Sequence, residues 1–183
     1  HSQFEKIPIS RERQIMQLEQ QINEIEAAIS EMKYEKGENW SIKQMAIFRE
    51  NLETKLEKLS AEEKKDDLLT FEQLGVDMMF VDEAHFYKNC FVFTKLRNVA
   101  GITTSSSQRA FDMLLKCQYL QEVNNGRGVV FATGTMISNS ISELFVMQRY
   151  LQPQELERFG WSYFDTWIAH FAKRTSVLEL RPE

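Results

Sequence analysis

Only two cysteines, three prolines and seven glycines occur in 183 residues. Cys90 and Cys117 do not suggest a disulfide framework: one follows an acidic stretch and the other sits inside an apolar, helix-like pattern. A reducing cytoplasm fits that usage better than an oxidising compartment. The scarcity of proline and glycine leaves little room for long disordered linkers. No apolar run approaches the roughly 18 residues that a membrane span needs, and no signal peptide is visible, so no membrane partner is expected. An excess of basic residues is also lacking. Twenty-two Lys and Arg face twenty-seven Asp and Glu, a net charge of −5, so no global basic field announces nucleic acid. Finally, none of the seven glycines is followed by lysine, which excludes a phosphate loop of the form Gly-x-x-x-x-Gly-Lys-Ser/Thr. The backbone cradle and lysine that hold the outer phosphates of a nucleotide are therefore absent. The chain begins at His1 rather than Met, and reads as an excised piece of something longer.

What is present centres on Met78-Met79-Phe80-Val81-Asp82-Glu83-Ala84-His85-Phe86-Tyr87-Lys88-Asn89. A short apolar run from Val76 ends abruptly in two acids, which predicts a buried parallel strand delivering charge at its C-terminal end. Open α/β sheets place their chemistry there. Adjacent acids on a strand end face opposite ways and can take different tasks. In phosphoryl-transfer sites one helps to hold Mg²⁺ and another orients or deprotonates the attacking water. The plain alternative is a strand end with solvated acids.

Fifty positions beyond Glu83, a second apolar run, Gly128 to Ala132, hands Thr133-Gly134-Thr135 to the same edge. Between the two runs lie a Thr/Ser-rich loop from Gly101 to Ser107 and a helix capped by Ser107. That helix carries Ala110, Met113, Leu114, Cys117, Leu120 and Val123 on one face and stops at Asn124-Asn125-Gly126. Strand, loop, helix, turn and strand make a βαβ crossover. Further on, a helix from Ser140 to Tyr150 must end before Pro153. The stripe Trp161, Phe164, Trp167, Ile168 and Phe171 reads as a packing face, and His170 as structural, since no other ligand stands at metal spacing.

Upstream the period changes. Ile15, Leu18, Ile22, Ile25, Ile29 and Met32 recur at spacings of three and four. A second seam runs through Ile42, Met45, Leu52, Leu56 and Leu59, broken by Arg49. Two such stripes joined by about eight residues predict an antiparallel helical hairpin, coiled-coil in character. From Ser10 to Leu69 ten basic residues face fourteen acidic ones. That balance suits a protein-facing or interdomain arm better than a phosphate-gripping one.

The acidic motif, its continuation Lys88-Asn89, and Thr133-Gly134-Thr135 followed by Asn139 and Glu143-Leu144-Phe145 resemble superfamily two helicases and translocases. The likeness is to the Asp-Glu-Ala-His type and its Swi/Snf-like branch. The opening His-Ser-Gln-Phe-Glu-Lys-Ile-Pro is similar to a stretch of the helicase–methylase proteins of phages and conjugative elements. Met136 departs from the proline usual in the Swi/Snf pattern. The resemblance implies an α/β fold: part of a RecA-like parallel sheet with flanking helices, into which the hairpin is inserted. Residues 1–9 and 67–183 would be the C-terminal half of a motor domain, and residues 10–66 the hairpin. It implies ATP-driven movement on DNA, with Asp82 binding Mg²⁺, Glu83 activating water, and His85 linking the site to the coupling motif Thr133, Gly134 and Thr135. Lys88, Asn89, Ser2 and Asn139 would support the motif or face DNA. The phosphate loop would lie upstream of residue 1. Completing arginines would come from a second RecA-like domain beyond residue 183, with a methylase domain in the helicase–methylase proteins. The piece alone is expected to bind neither ATP nor Mg²⁺ tightly and to be inactive. A non-catalytic interaction scaffold built on the hairpin is the competing reading; the intact acid pair and Thr-Gly-Thr argue against it.

Overall fold

The computed structural model describes residues 3–34, 39–61, 69–92, 94 and 107–173. Ser2, most of the stretch from Phe91 to Arg97, the loop from Gly101 to Ser106, the charged exit after Ala61 and the tail beyond Lys173 lie outside them. The described chain is mixed α/β and mostly helical.

Helix α1 spans Arg11–Tyr34 and α2 spans Asn39–Ala61. Their spacing of apolar residues places Leu18, Ile22, Ile25, Ile29 and Met32 of α1 against Met45 and Leu52 of α2 in one seam. The pair runs antiparallel: Arg11 donates to the Ser60 carbonyl at 2.6 Å, and Arg49 meets Glu26 at 3.4 Å. Arg49 fails as a seam residue because it lies on the flank, where it also reaches Glu53. The start of α1 is pinned from outside the pair. The Ser10 N–H donates to both carboxylate oxygens of Glu72, at 3.0 and 3.1 Å, while the Ser10 carbonyl accepts from Gln14. Phe48 stacks on Phe91 at 3.9 Å, and Arg13 joins Glu122 at 2.6 Å below the ring of Tyr119. The base of the pair is thus packed onto the rest of the chain.

The remaining body holds β1 (Met79–Val81) and β2 (Val129–Phe131), paired in parallel with Phe80 opposite Val130. Helix α3 (Gln108–Val123) makes the crossover, its N-cap Ser107 accepting from the Ala110 N–H at 3.1 Å. The face expected of this helix is buried except for Val123, its final residue, which is 53% exposed. At the entry to β2, Gly128 adopts a φ of +99°, and a Cβ there would stand 3.0 Å from the Asp77 carbonyl. Helices α4 (Ser142–Leu151), α5 (Pro153–Arg158) and α6 (Phe164–Phe171) follow, with Pro153 starting α5 rather than merely ending α4. Phe145, Tyr150, Phe164 and Trp167 pack with Met79 and Val81 into one core. His170 lies against the ring of Trp161 at 4.5 Å.

One expectation fails. The acidic strand is not buried on both faces: Phe80 is 72% exposed and Val130 opposite it 42%. Met79 and Val81 face the core, so α3 and its neighbours cover one side of the two-stranded sheet and leave the other in water. An apolar run reports affinity for a core and not how many layers supply it.

Two ion pairs tie the N-terminal stretch to the body, one buried and one at the surface. Lys116 is fully buried, 2.5 Å from Asp112, donating also to the Phe4 carbonyl at 3.3 Å under the Phe4 ring. Arg109 meets Glu5 at 2.6 Å. Together they fasten the N-terminal stretch onto α3. No described helix is long and apolar enough to cross a membrane.

Candidate functional site

The site grows from the end of β1. After Val81 the ladder continues through an N–H of the motif itself: Ala132 donates to the Val81 carbonyl at 2.8 Å and Ala84 to the Ala132 carbonyl at 3.0 Å. The backbone must therefore fold into the turn Ala84–Tyr87 while still attached to β2. Glu83 takes the strain, with φ 51° and ψ 45° in the left-handed region. Such a conformation costs a non-glycine residue on the order of 1–3 kcal/mol and is found where surrounding structure enforces it. Its N–H donates to Asp82 Oδ1 at 2.9 Å, so the two acids do not point to opposite faces of a regular strand. Both are exposed to solvent.

His85 joins the two motifs. Its Nδ1 lies 3.0 Å from Glu83 Oε2 and 3.3 Å from Thr133 Oγ1. An ionised carboxylate only accepts, so Nδ1 carries the proton when this contact is made. Thr133 Oγ1 in turn accepts from the Thr135 N–H at 3.1 Å, closing the Thr-Gly-Thr turn on itself. Thr133 is half-buried; Gly134 and Thr135 are exposed. Gly134 has neither a positive φ nor any atom within 4 Å of where a Cβ would stand, so the local fold does not require glycine there.

Lys88 and Asn89 differ from one another. Lys88 is 8% exposed at its side chain and bound to Glu143 at 3.1 Å, which turns it inward rather than toward a ligand. Asn89 accepts at its carbonyl from the Ser107 N–H at 3.0 Å, fixing the start of α3. Asn139 is exposed, and its N–H donates to Glu143 at 3.4 Å. Glu143 entered the sequence reading only as part of the Glu143-Leu144-Phe145 resemblance, and Ser138 not at all; the structure makes both of them anchors of the loop after the second motif. Burial opposes the charge of Glu143, but the Ser138 N–H, the Lys88 ammonium and the Asn139 N–H outweigh it and hold its carboxyl below the ordinary value. Tyr150 closes the floor, its hydroxyl lying 3.1 Å from the Tyr87 carbonyl and 2.9 Å from that of Ala110. Burial raises that phenol well above its usual range.

Among the described residues no three of His, Cys, Asp and Glu gather as a metal cage. A lone exposed carboxylate such as Asp82 suits Mg²⁺ as one protein ligand, because that ion keeps several waters and takes phosphate oxygens for the rest.

A family model described as "Probable helicase domain" matches residues 1–181. "Defense against restriction protein B" of Escherichia phage P1 is 32% identical over 114 residues, a match covering 61% of this chain and 5% of that protein. The chain thus corresponds to a small part of the length of that relative. No solved structure matches the chain.

Proposed function

Since the chain belongs to the probable helicase domain family, we propose that it forms part of an ATP-driven translocase acting on DNA. The finer reading is a superfamily two motor of the Swi/Snf-like, Asp-Glu-Ala-His type, with a RecA-like fold. The observation that carries it is the position of His85 Nδ1 between Glu83 Oε2 and Thr133 Oγ1. One imidazole proton is shared there between an acid suited to water activation and a threonine on the second motif.

Asp82, exposed at the strand end, would hold Mg²⁺ directly or through water, and the ion would neutralise charge on the outer phosphates. Glu83 accepts a proton from the attacking water, and its enforced left-handed backbone keeps the carboxylate beside His85. While Glu83 is ionised, it holds the His85 Nδ1–H. When Glu83 turns to the water or takes up a proton, the same N–H passes to Thr133 Oγ1. The Thr135 N–H ties that oxygen to the loop backbone, so the change at the acid reaches the loop. This chain has no phosphate cradle, so the β- and γ-phosphates are gripped by residues outside it, and a second RecA-like domain completes the site.

The test uses the full-length protein. ATP turnover should rise with DNA and fall by on the order of 10²–10⁴-fold in Glu83→Gln, the usual contribution of a general base. Equal turnover in the two proteins refutes the assignment.

A further inference from the structure

Two side-chain contacts, not one, join the acidic motif to the segment that begins at Thr133, and the second is the better built. Lys88 closes the short turn that carries His85. Its ammonium lies 3.1 Å from Glu143 Oε2 and 3.5 Å from Ser138 Oγ. The same carboxylate accepts the Ser138 N–H at 2.6 Å, the Ser138 hydroxyl at 3.2 Å and the Asn139 N–H at 3.4 Å. Lys88 and Glu143 are 8% and 12% exposed, whereas His85 and Glu83 are 30% and 53% exposed. The histidine link is a single contact open to water, with a shared proton. The lysine link is a charge-assisted network centred on two nearly buried side chains, which strengthens the contact between them.

We infer that the Lys88–Glu143 pair is a positioning strut that transmits displacement of the acidic turn to the Ser138–Asn139 backbone, and so couples ATP turnover to DNA at the exposed loop. The inference rests on the reading under Proposed function. Only the four-residue turn Ala84–Tyr87 separates Glu83 from Lys88, so little slack lies between them. At the other end, Met136 and Ile137 stand 53% and 50% exposed on the loop that Glu143 holds. A movement of the turn must carry this loop surface with it or break the pair. Neither strut residue touches Asp82 or Glu83 through its side chain, which separates this role from bond cleavage.

The experiment measures ATP turnover of the full-length protein with and without DNA. Glu143→Gln keeps the side-chain size and an acceptor for the two N–H groups but removes the attraction to Lys88. Turnover without DNA should stay within about twofold, while stimulation by DNA falls roughly tenfold, the size of an ordinary coupling free energy. The exchanged pair Lys88→Glu with Glu143→Lys should regain more stimulation than either single change. Ser138→Ala, which spares the charges, should lose a smaller part and serves if Glu143→Gln fails to fold. Unchanged stimulation, an equal fall in both rates, or an exchanged pair no better than the singles overturns the strut. Turnover that ignores DNA or survives Glu83→Gln refutes the proposed function instead, and the strut with it.

Discussion

The α1–α2 pair and the α/β body place their charges differently. In the helical pair the seam is apolar, and Arg49, Glu26 and Glu53 meet at its flank in water. In the body, Lys116 is wholly buried against Asp112, and Lys88 nearly so against Glu143. Apolar contact alone tolerates sliding and substitution, whereas a buried ion must find one partner at one place. The helical pair is therefore held by area, and the body by area plus addresses that admit a single arrangement.

The contrast is broken most severely at Lys116. Lys116→Ala empties a fully buried site and leaves the half-buried Asp112 without its partner, and should destabilise the chain by about 3 kcal/mol in denaturant titration. Burial already pushes the Asp112 carboxyl above its ordinary value, against the opposing pull of Lys116. Lys116→Met combined with Asp112→Leu should recover most of the loss. If the double change is as damaging as the single one, the pair is not what matters there.

Next comes the seam. Ile25→Ala should cost about 2–4 kcal/mol. Hydrogen exchange should show the loss spread over α1 and α2, with β1 and β2 still protected. Protection lost equally from the strands would mean that the two regions unfold as one.

The seam was legible because spacings of three and four admit little else. Its docking was not, since Phe48 on Phe91 and Ser10 on Glu72 join residues 43 and 62 positions apart. The acidic motif and the Ser107 cap could also be read from neighbours in sequence, and the parallel pairing of the two strands from the helix that separates them. The left-handed Glu83 could not, because the ladder to Ala132 imposes it. Nor could the burial of Lys116 and Lys88, whose partners are fixed by packing. Sequence alternation likewise says nothing about the bare side of Phe80.

Two glycines sharpen the comparison within the body. Gly128→Ala should cost about 2 kcal/mol, because a left-handed backbone and the Asp77 carbonyl both resist a Cβ. Gly134→Ala should leave the melting temperature unchanged yet lower DNA-stimulated turnover. A destabilised Gly134→Ala would show that the fold, rather than something approaching from outside, demands that glycine.

Acid tests the joint between the regions. Burial disfavours the charge of Glu72, but its hydrogen bonds with Ser10, the backbone and Thr70 prevail and lower its folded pKa. A lowered carboxyl stabilises the fold above its ordinary pKa, and that contribution fades as pH falls through the folded value. Exchange at the start of α1 should therefore quicken below about pH 4.5, by an amount worth about 1 kcal/mol, and Glu72→Gln should flatten the profile. The smallest effect belongs to Arg49→Ala, whose exposed pairs should yield no more than about 0.5 kcal/mol by thermal melting.

The uncovered side of the sheet has a colloidal consequence. Phe80 and Val130 sit side by side on a two-stranded ribbon whose outer edges have no strand partner among the described residues. Water wets such a surface poorly, and a second ribbon can cover it or extend its ladder. Concentration then becomes a variable of state for this chain. Raising the concentration should favour self-association, and a net charge of −5 should oppose it through a repulsion that salt screens.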